Sequence, residues 1–230
     1  MNILIFTGGL FPFPQQTQKY FSSTHFDFVI AADSGLEACR LYGLSPNLIL
    51  GDFDSLKDKK LLSLYPKEII KKFDCDKDFT DTQLSLMAAH KLAKEKNANS
   101  FITLVGGDGG RISHLLSIYN SFSTKFRPDV WLLKEEALYF LQKGQSIFIS
   151  DLKESDSLSI CRTSNFFTGG KIKAQGLEWP DSHFNKKAMP SLSNRISKEA
   201  LSKKEKVFLK ACRKNFLVIL PHTAFVEWQM

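Results

Sequence analysis

The sequence predicts an α/β protein with an all-β tail. A Rossmann-like, mostly parallel sheet covers residues 1–143, and a small β-sandwich covers residues 144–230. Three observations predict this. Six short apolar runs in the first part lack the alternation of a half-exposed strand, as strands buried on both faces of a parallel sheet do. Helical patterns lie between those runs, where parallel strands need crossovers. After Lys143 the texture changes to short strands, some with period-two alternation, separated by Gly, Asp, Asn and Ser.

In order, the first six strands are "NILIF", "FDFVIAA", "NLILG", "EIIKKF", "SFITLVG" and "DVWLL". Helices are expected at Leu36 to Leu41, Lys57 to Tyr65, Asp81 to Lys96 and Ile112 to Phe122. The helix from Asp81 has a start signal. Thr80 is its cap, Gln83 completes a capping box, and Leu84, Ala88 and Leu92 form a buried stripe. Asp81 falls in the first turn, where the helix dipole favours an ionised carboxylate. The second part contributes "QSIFIS", "DSLSICRT", "GGKIKAQGL", "KVFLKACR" and "NFLVIL" as strands, and "LSKKEKVFLKACRK" reads as a strand pair with a solvated face.

The chain has 230 residues, 43% of them hydrophobic, enough for one large domain or two modest ones. No apolar run approaches the roughly 18 residues that span a bilayer. "MNILIFTGG" reads as a first strand rather than a signal peptide. Four cysteines lie far apart with no CxxC pair, as expected of reduced thiols in a cytoplasmic protein. Lys and Arg number 31 against 24 Asp and Glu, a net charge of +7 that suits an anionic partner such as a phosphorylated small molecule. No nucleic-acid module is recognisable, so neither nucleic acid nor membrane is expected as a partner.

The chemistry lies after the strands. In open α/β sheets ligands bind at the carboxyl ends of the strands. The segments found there are Thr7-Gly8-Gly9, Asp33-Ser34-Gly35, "GDFDS" at 51–55, "DCDKDFTD" at 74–81 and "GGDGGRISH" at 106–114. Each holds Gly, Asp or both, and five independent solvated turns at one edge are a poor explanation. "DCDKDFTD" is not a calcium loop. Asp74, Asp76 and Asp78 match the first three ligands, but Phe79 replaces the required Gly and Ser85 the required Glu. Gly-rich turns let backbone N–H groups approach phosphate, and Arg111 offers a charged planar fork. Clustered carboxylates need a bridging cation to sit beside phosphate, and oxygen-only ligation there points to Mg²⁺. Neither GxxxxGK[ST] nor GxGxxG after the first strand is present.

"AADSGLEACRLYGLSPNLILGDFDSL", "DKDFTDTQLSL" and "GGDGGRISHLL" resemble the signature stretches of the thiamine pyrophosphokinase family: a DGG turn, GDFDS, D-x-TD and GGRxDH. "GGKIKAQGLEWP" and "SLSN" resemble its C-terminal GLK[WY]P and S-x-SN. The similarity runs from Thr7 to about Leu220 in the family's order. It implies a nucleotide-binding domain, a thiamine-binding and dimerising β-sandwich, and a homodimer. The reaction implied is Mg²⁺-dependent transfer of the pyrophosphate of ATP to the hydroxyl of thiamine, releasing AMP.

Residue by residue, the resemblance makes Asp33, Asp52, Asp54 and Asp81 catalytic, the last three as metal ligands. It places Gly8, Gly9, Lys77, Asp78, Thr80, Gly107, Gly110, Arg111 and His114 near the nucleotide, and Ser191, Ser193 and Asn194 near thiamine. Trp179 lines the thiamine pocket or fills the sandwich core. Asp33 and Asp81 are both candidates for the general base, and Asp74 and Asp76 are expected to be solvated. Ser34 departs from the family's Gly, and Ser113 from the Asp of GGRxDH. Two other readings are a pyrophosphokinase with another alcohol acceptor, such as a pterin, and a non-catalytic nucleotide or thiamine binder.

Overall fold

The fold, a computed structural model, describes residues 1–163, 170–179 and 190–229. The chain divides into two compact units. Met1–Gln15 and Phe21–Lys134 form the first, and Gln16–Tyr20 and Glu135–Met230 the second.

The first unit is built on six strands: β1 (Asn2–Phe6), β2 (Phe28–Ala32), β3 (Leu48–Gly51), β4 (Ile70–Lys72), β5 (Phe101–Val105) and β6 (Val130–Leu132). They run in the order β6-β5-β1-β2-β3-β4, every pairing parallel. The chain therefore starts in the middle, winds outward through β4, and returns to the other side of β1 with β5. That reversal between β1 and β5 is the switch point at which doubly wound sheets bind ligands. Ile3, Leu4, Ile5 and Phe6 are all 0% exposed, as the unalternating apolar runs require.

The crossovers carry α2 (Gly35–Leu41), α3 (Asp81–Glu95) and α4 (Ile112–Ser121). The α3 capping box forms in full: Gln83 N donates to Thr80 Oγ1 at 3.2 Å, and Thr80 N donates to Gln83 Oε1 at 2.9 Å. Its buried stripe is Ser85, Leu86, Ala89 and Ala93, one position on from the expected Leu84, Ala88 and Leu92. Small side chains let the helix approach the sheet closely, and the bulkier leucines are left half-buried at the flank.

Three other expectations are corrected. Lys57 to Tyr65 forms a 3₁₀ segment over Lys59–Leu64, which buries only Leu61 and starts where Asp58 accepts from Lys60 N. "EIIKKF" yields only β4, an edge strand with Lys71 and Lys72 exposed, because one neighbour cannot cover both faces. Helix α1 (Pro14–Ser23) has no apolar stripe to announce it and starts on Pro14, whose fixed φ suits a first helical position.

The second unit holds two antiparallel sheets. One has the order β11-β9-β13-β7, from β7 (Glu136–Leu141), β9 (Leu158–Arg162), β11 (Ser191–Asn194) and β13 (Phe216–Pro221). The other has the order β10-β12-β8-β14, from β8 (Ser146–Ser150), β10 (Lys171–Gln175), β12 (Val207–Arg213) and β14 (Phe225–Gln229). β9 and β12 alternate buried and less buried residues, the mark of strands with one face on a core. β7, β11 and β14 are strands the sequence reading does not name. "LSKKEKVFLKACRK" is the end of a short helix, α5 (Lys198–Ser202), followed by the single strand β12 rather than a strand pair.

Gly35 shows how tightly α2 seats against β1. A Cβ there would lie 2.3 Å from the Phe6 carbonyl oxygen, a backbone atom with no freedom to retreat. Gly35→Ala should cost about 2 kcal/mol, a fall of roughly 4–8 °C in melting temperature. A melt by circular dichroism that moves by less than a degree would refute this packing.

Candidate functional site

The carboxyl ends of β1 to β5 open into a cleft of about 610 Å³ in the first unit. Every site residue that the sequence assigns to this unit lines it. From β1 come Gly8 and Gly9, from β2 Asp33, and from β3 Asp52 and Asp54. The segment between β4 and α3 brings Lys77, Asp78 and Thr80, and Asp81 opens α3. Gly107 and Gly110 follow β5, with Arg111 and His114 at the start of α4. Asp74 and Asp76 are exposed, as expected of solvated residues.

The two glycine turns support each other. Gly107 N donates to Gly8 O at 2.8 Å, and Leu10 and Asp108 exchange backbone bonds of 2.6 and 3.2 Å. A Cβ on Gly106 would lie 2.5 Å from Thr7 O, so the turn after β5 can close on β1 only with glycine there. Thr7 Oγ1 and Thr82 Oγ1 lie 2.6 Å apart and tie the β1 turn to α3. Sequence reasoning did not single out either threonine; the signal was their position, immediately after β1 and immediately after Asp81.

At the centre, ligand oxygens of Asp33, Asp52 and Asp81 lie within 4.8 Å of one another. Three carboxylates at such spacing repel by about 4 kcal/mol per pair at an effective dielectric of 20. Asp54 is not in this cluster. Phe53, at φ 64° and 4% exposed, turns the chain inward, which leaves Asp54 exposed with its carboxylate 2.9 Å from Ser55 Oγ. Asp33, which the sequence reading made catalytic but not a metal ligand, joins Asp52 and Asp81 in the cluster, and Asp54 lines the same cleft outside it. Asp33 sits at φ 50°, and the backbone N–H groups of Asp33 and Leu36 hold its turn through bonds to Leu50 O at 2.8 Å and from Leu36 to Asp33 O at 3.1 Å. Ser34, which departs from the family's Gly, is at φ −62°, where any residue is comfortable.

Lys77 faces the cluster. Its ammonium donates to Asp52 Oδ2 at 2.7 Å and to Asp74 O at 3.0 Å, and lies 3.3 Å from Asp81 Oδ1. Burial works against the charge on Asp52, but Lys77 and the Asp54 backbone N–H outweigh it and hold its pKa below the usual carboxylate value. Burial also opposes the Lys77 charge, and Asp52 and Asp81 overcome it to raise its pKa. Asp81 moves the other way: burial, reinforced by Asp52 and Asp33, raises its pKa despite Lys77. The helix dipole expected to keep Asp81 ionised is therefore overridden. Burial likewise raises Asp33, with Asp52 and Asp54 adding to it.

Asp33 Oδ1 is buried without a hydrogen-bond donor among the described residues, and Asp81 Oδ1 has only the ion pair with Lys77 at 3.3 Å. Buried carboxylates this close together and short of donors are the chemistry of a divalent-cation site, and the all-oxygen donor set fits a hard cation. At the cleft edge Arg111 is exposed and is the N-cap of α4, with no side chain capping that helix. Among the described residues neither the Arg111 guanidinium nor the His114 ring has a hydrogen-bond partner.

In the second unit, Trp179, Ser191, Ser193 and Asn194 cluster at the edge strand β11. Asn194 is 1% exposed and its amide is fully engaged. It donates to Trp179 O at 2.8 Å and Ser191 Oγ at 3.1 Å, and accepts from Arg195 N at 2.9 Å and Trp179 N at 3.3 Å. Trp179 is 51% exposed beneath the Arg195 guanidinium, 5.2 Å from its ring centre, so it is not core. Ser193 is exposed at φ 53°.

Residues 18–132 match the family described as thiamin pyrophosphokinase, catalytic domain. No curated protein matches the chain. Among solved structures, it is similar to a thiamin pyrophosphokinase family protein from Enterococcus faecalis at 21% identity, covering 96% of this chain and 99% of that one with a TM-score of 0.67. A thiamine pyrophosphokinase from Bacillus subtilis gives 20%, 96%, 99% and 0.67. One from Candida albicans gives 15%, 96%, 88% and 0.66. At these identities the likeness is one of fold.

The raised pKa values of Asp33 and Asp81 carry a signed prediction. A carboxylate whose pKa is higher in the folded state stabilises the fold below its unfolded value and loses that contribution as pH rises through the folded value. In chelator at pH 7, Asp33→Asn should raise the melting temperature by about 2 °C. The gain should shrink as pH falls towards 4. A variant less stable than wild type at pH 7, or a gain that grows with acid, would overturn the reading of the cluster as strained.

Proposed function

Because the chain belongs to the thiamin pyrophosphokinase family and is an enzyme of that type, we propose that it transfers the pyrophosphate of ATP to the hydroxyl of thiamine, with release of AMP and with Mg²⁺ as cofactor. The observation that carries this reading is the convergence of Asp33, Asp52 and Asp81 beside two glycine turns at the switch point of the sheet.

Asp33, Asp52 and Asp81 would hold the Mg²⁺, which supplies charge neutralisation of the phosphates when bound. The N–H groups of Gly8, Gly9 and Gly110, left without a partner among the described residues, and the uncapped start of α4 suit phosphate oxygens, while those of Gly107, Asp108 and Gly109 hold the turns together. Arg111, exposed and unpaired among the described residues, is placed to meet the charge that develops on the leaving AMP. Whichever of Asp33 and Asp81 keeps an oxygen not engaged by the metal is the candidate to receive the hydroxyl proton, since burial favours the protonated form of both. No covalent intermediate on the chain is needed; orientation and charge do the work. Asp54 and Asp78, exposed at the rim, take supporting roles.

On the acceptor side, Ser193 and Trp179 are the exposed groups suited to meet thiamine. Asn194, with its amide fully engaged, holds Trp179 and Ser191 in place. A homodimer through the β-sandwich is proposed on the edge strands that each of its sheets leaves. A cytoplasmic location is proposed from four free cysteines; no described helix is long and apolar enough to cross a membrane.

AMP release from ATP and Mg²⁺ on adding thiamine tests the activity. AMP with a pterin alcohol but not with thiamine would transfer the reading to another acceptor, and nucleotide binding without AMP would make the chain a binder. Asp52→Asn and Asp81→Asn should each lower kcat/KM by at least about a hundredfold, some 2.7 kcal/mol, with the circular dichroism spectrum unchanged. Near-normal turnover at limiting Mg²⁺ would refute the assignment. Asn194→Ala should raise the KM for thiamine roughly 5- to 100-fold and leave that for ATP nearly unchanged, while lowering the melting temperature because a buried hydrogen-bond hub is lost. A loss of stability with neither KM altered would make Asn194 structural only.

A further inference from the structure

We propose that Lys77 is a displaceable internal counter-ion of the acidic cluster. Its ammonium holds the position between Asp52 and Asp81 that a divalent cation needs, and on cation entry it swings to the incoming phosphates. The inference rests on the functional reading above and deepens it, because it makes occupancy of the cation site depend on a residue outside the ligand set.

Four observations support it. The Lys77 ammonium is 2.7 Å from Asp52 Oδ2 and 3.3 Å from Asp81 Oδ1, two of the three carboxylates of the cluster. A hard divalent cation bonds carboxylate oxygens at about 2.1 Å, so one bound to these groups would lie within a few ångströms of the ammonium. Two cations held that closely by shared oxygens repel, and the monovalent group on a flexible stem is the one free to leave.

Second, one ammonium does not satisfy the cluster. Asp33 Oδ1 remains buried without a donor in a residue only 8% exposed, and Asp81 Oδ1 has only the 3.3 Å ion pair with Lys77. Third, Lys77 lies between β4 and α3 in a segment with no helix or strand, so its movement breaks no backbone ladder. The one local bond it would lose is to Asp74 O at 3.0 Å. Fourth, Lys77 lines the same cleft as the glycine turns and Arg111, so phosphates entering there come within reach of its stem.

The device has a consequence for binding. Free cation must compete with Lys77 and so binds weakly. Cation arriving with phosphates binds well, because the displaced ammonium gains a new anionic partner. Positive coupling between cation and nucleotide follows, and it runs in both directions.

The test uses Mn²⁺ alone as the probe, titrated without nucleotide into wild type, Lys77→Met and Lys77→Arg and followed by the electron paramagnetic resonance of free Mn²⁺. Lys77→Met should bind Mn²⁺ at least about tenfold more tightly than wild type, which is about 1.4 kcal/mol. Lys77→Arg, which keeps the charge, should bind no more tightly than wild type. If wild type binds Mn²⁺ and Lys77→Met binds no more tightly, the counter-ion proposal is wrong while the site reading stands. If none of the three binds Mn²⁺, the cation-site reading itself fails and the proposal with it. Should Lys77→Met not fold, reductive methylation of wild type followed by mass spectrometry gives the answer. Labelling of Lys77 should rise when Mn²⁺ is added, and unchanged labelling would overturn the proposal.

Discussion

The site rests on one electrostatic constraint: three carboxylates brought together in a partly buried cleft. Asp33, Asp52 and Asp81 come from the ends of β2 and β3 and the start of α3, and their oxygens lie within 4.8 Å of one another. No short-range preference favours this. Burial penalises the ionised forms, and the like charges add to the cost. The arrangement persists because the parallel sheet around it, with β1 0% exposed from Ile3 to Phe6, leaves the strand ends no alternative.

The sheet topology decides where the anionic ligand can go. The reversal between β1 and β5 leaves their two following turns adjacent, and Gly107, Gly8, Leu10 and Asp108 join them by backbone bonds. Those bonds use the N–H groups of Leu10, Gly107 and Asp108 and leave those of Gly8, Gly9 and Gly110 without a partner among the described residues. Acidic oxygens and N–H groups thus face the same cleft, the pairing that a metal–phosphate substrate needs. Lys77 belongs to both sides of that pairing, since it is a cation among carboxylates on a segment that lines the same cleft as the glycine turns.

The second unit solves a different problem, the presentation of an exposed ring and hydroxyl on an edge strand. Asn194 spends its whole amide on that task. Its bonds to both backbone groups of Trp179 fix the indole in an exposed position, and Arg195 stacks over it. A hydrogen-bonding residue that sequence reasoning assigns to the ligand can serve the ligand through the residue it holds.

The sequence by itself determined the parallel strands and main helices of the first unit and the edge at which its Gly and Asp residues gather. Strand runs without alternation, the Thr80–Gln83 capping box and the Gly and Asp residues after each strand are local signals, written within a few residues. Tertiary structure decided what depends on two segments meeting. Asp33 rather than Asp54 joins Asp52 and Asp81, because Phe53 is drawn into the core and turns Asp54 outward. The buried face of α3 is set by how closely Ser85, Ala89 and Ala93 let it approach the sheet, which helical periodicity alone does not weigh. Asp81 loses the benefit of its helix dipole to burial, with two carboxylates distant in sequence adding to it. Charge, burial and contact are properties of neighbours in space, and the chain names those neighbours only once it has folded.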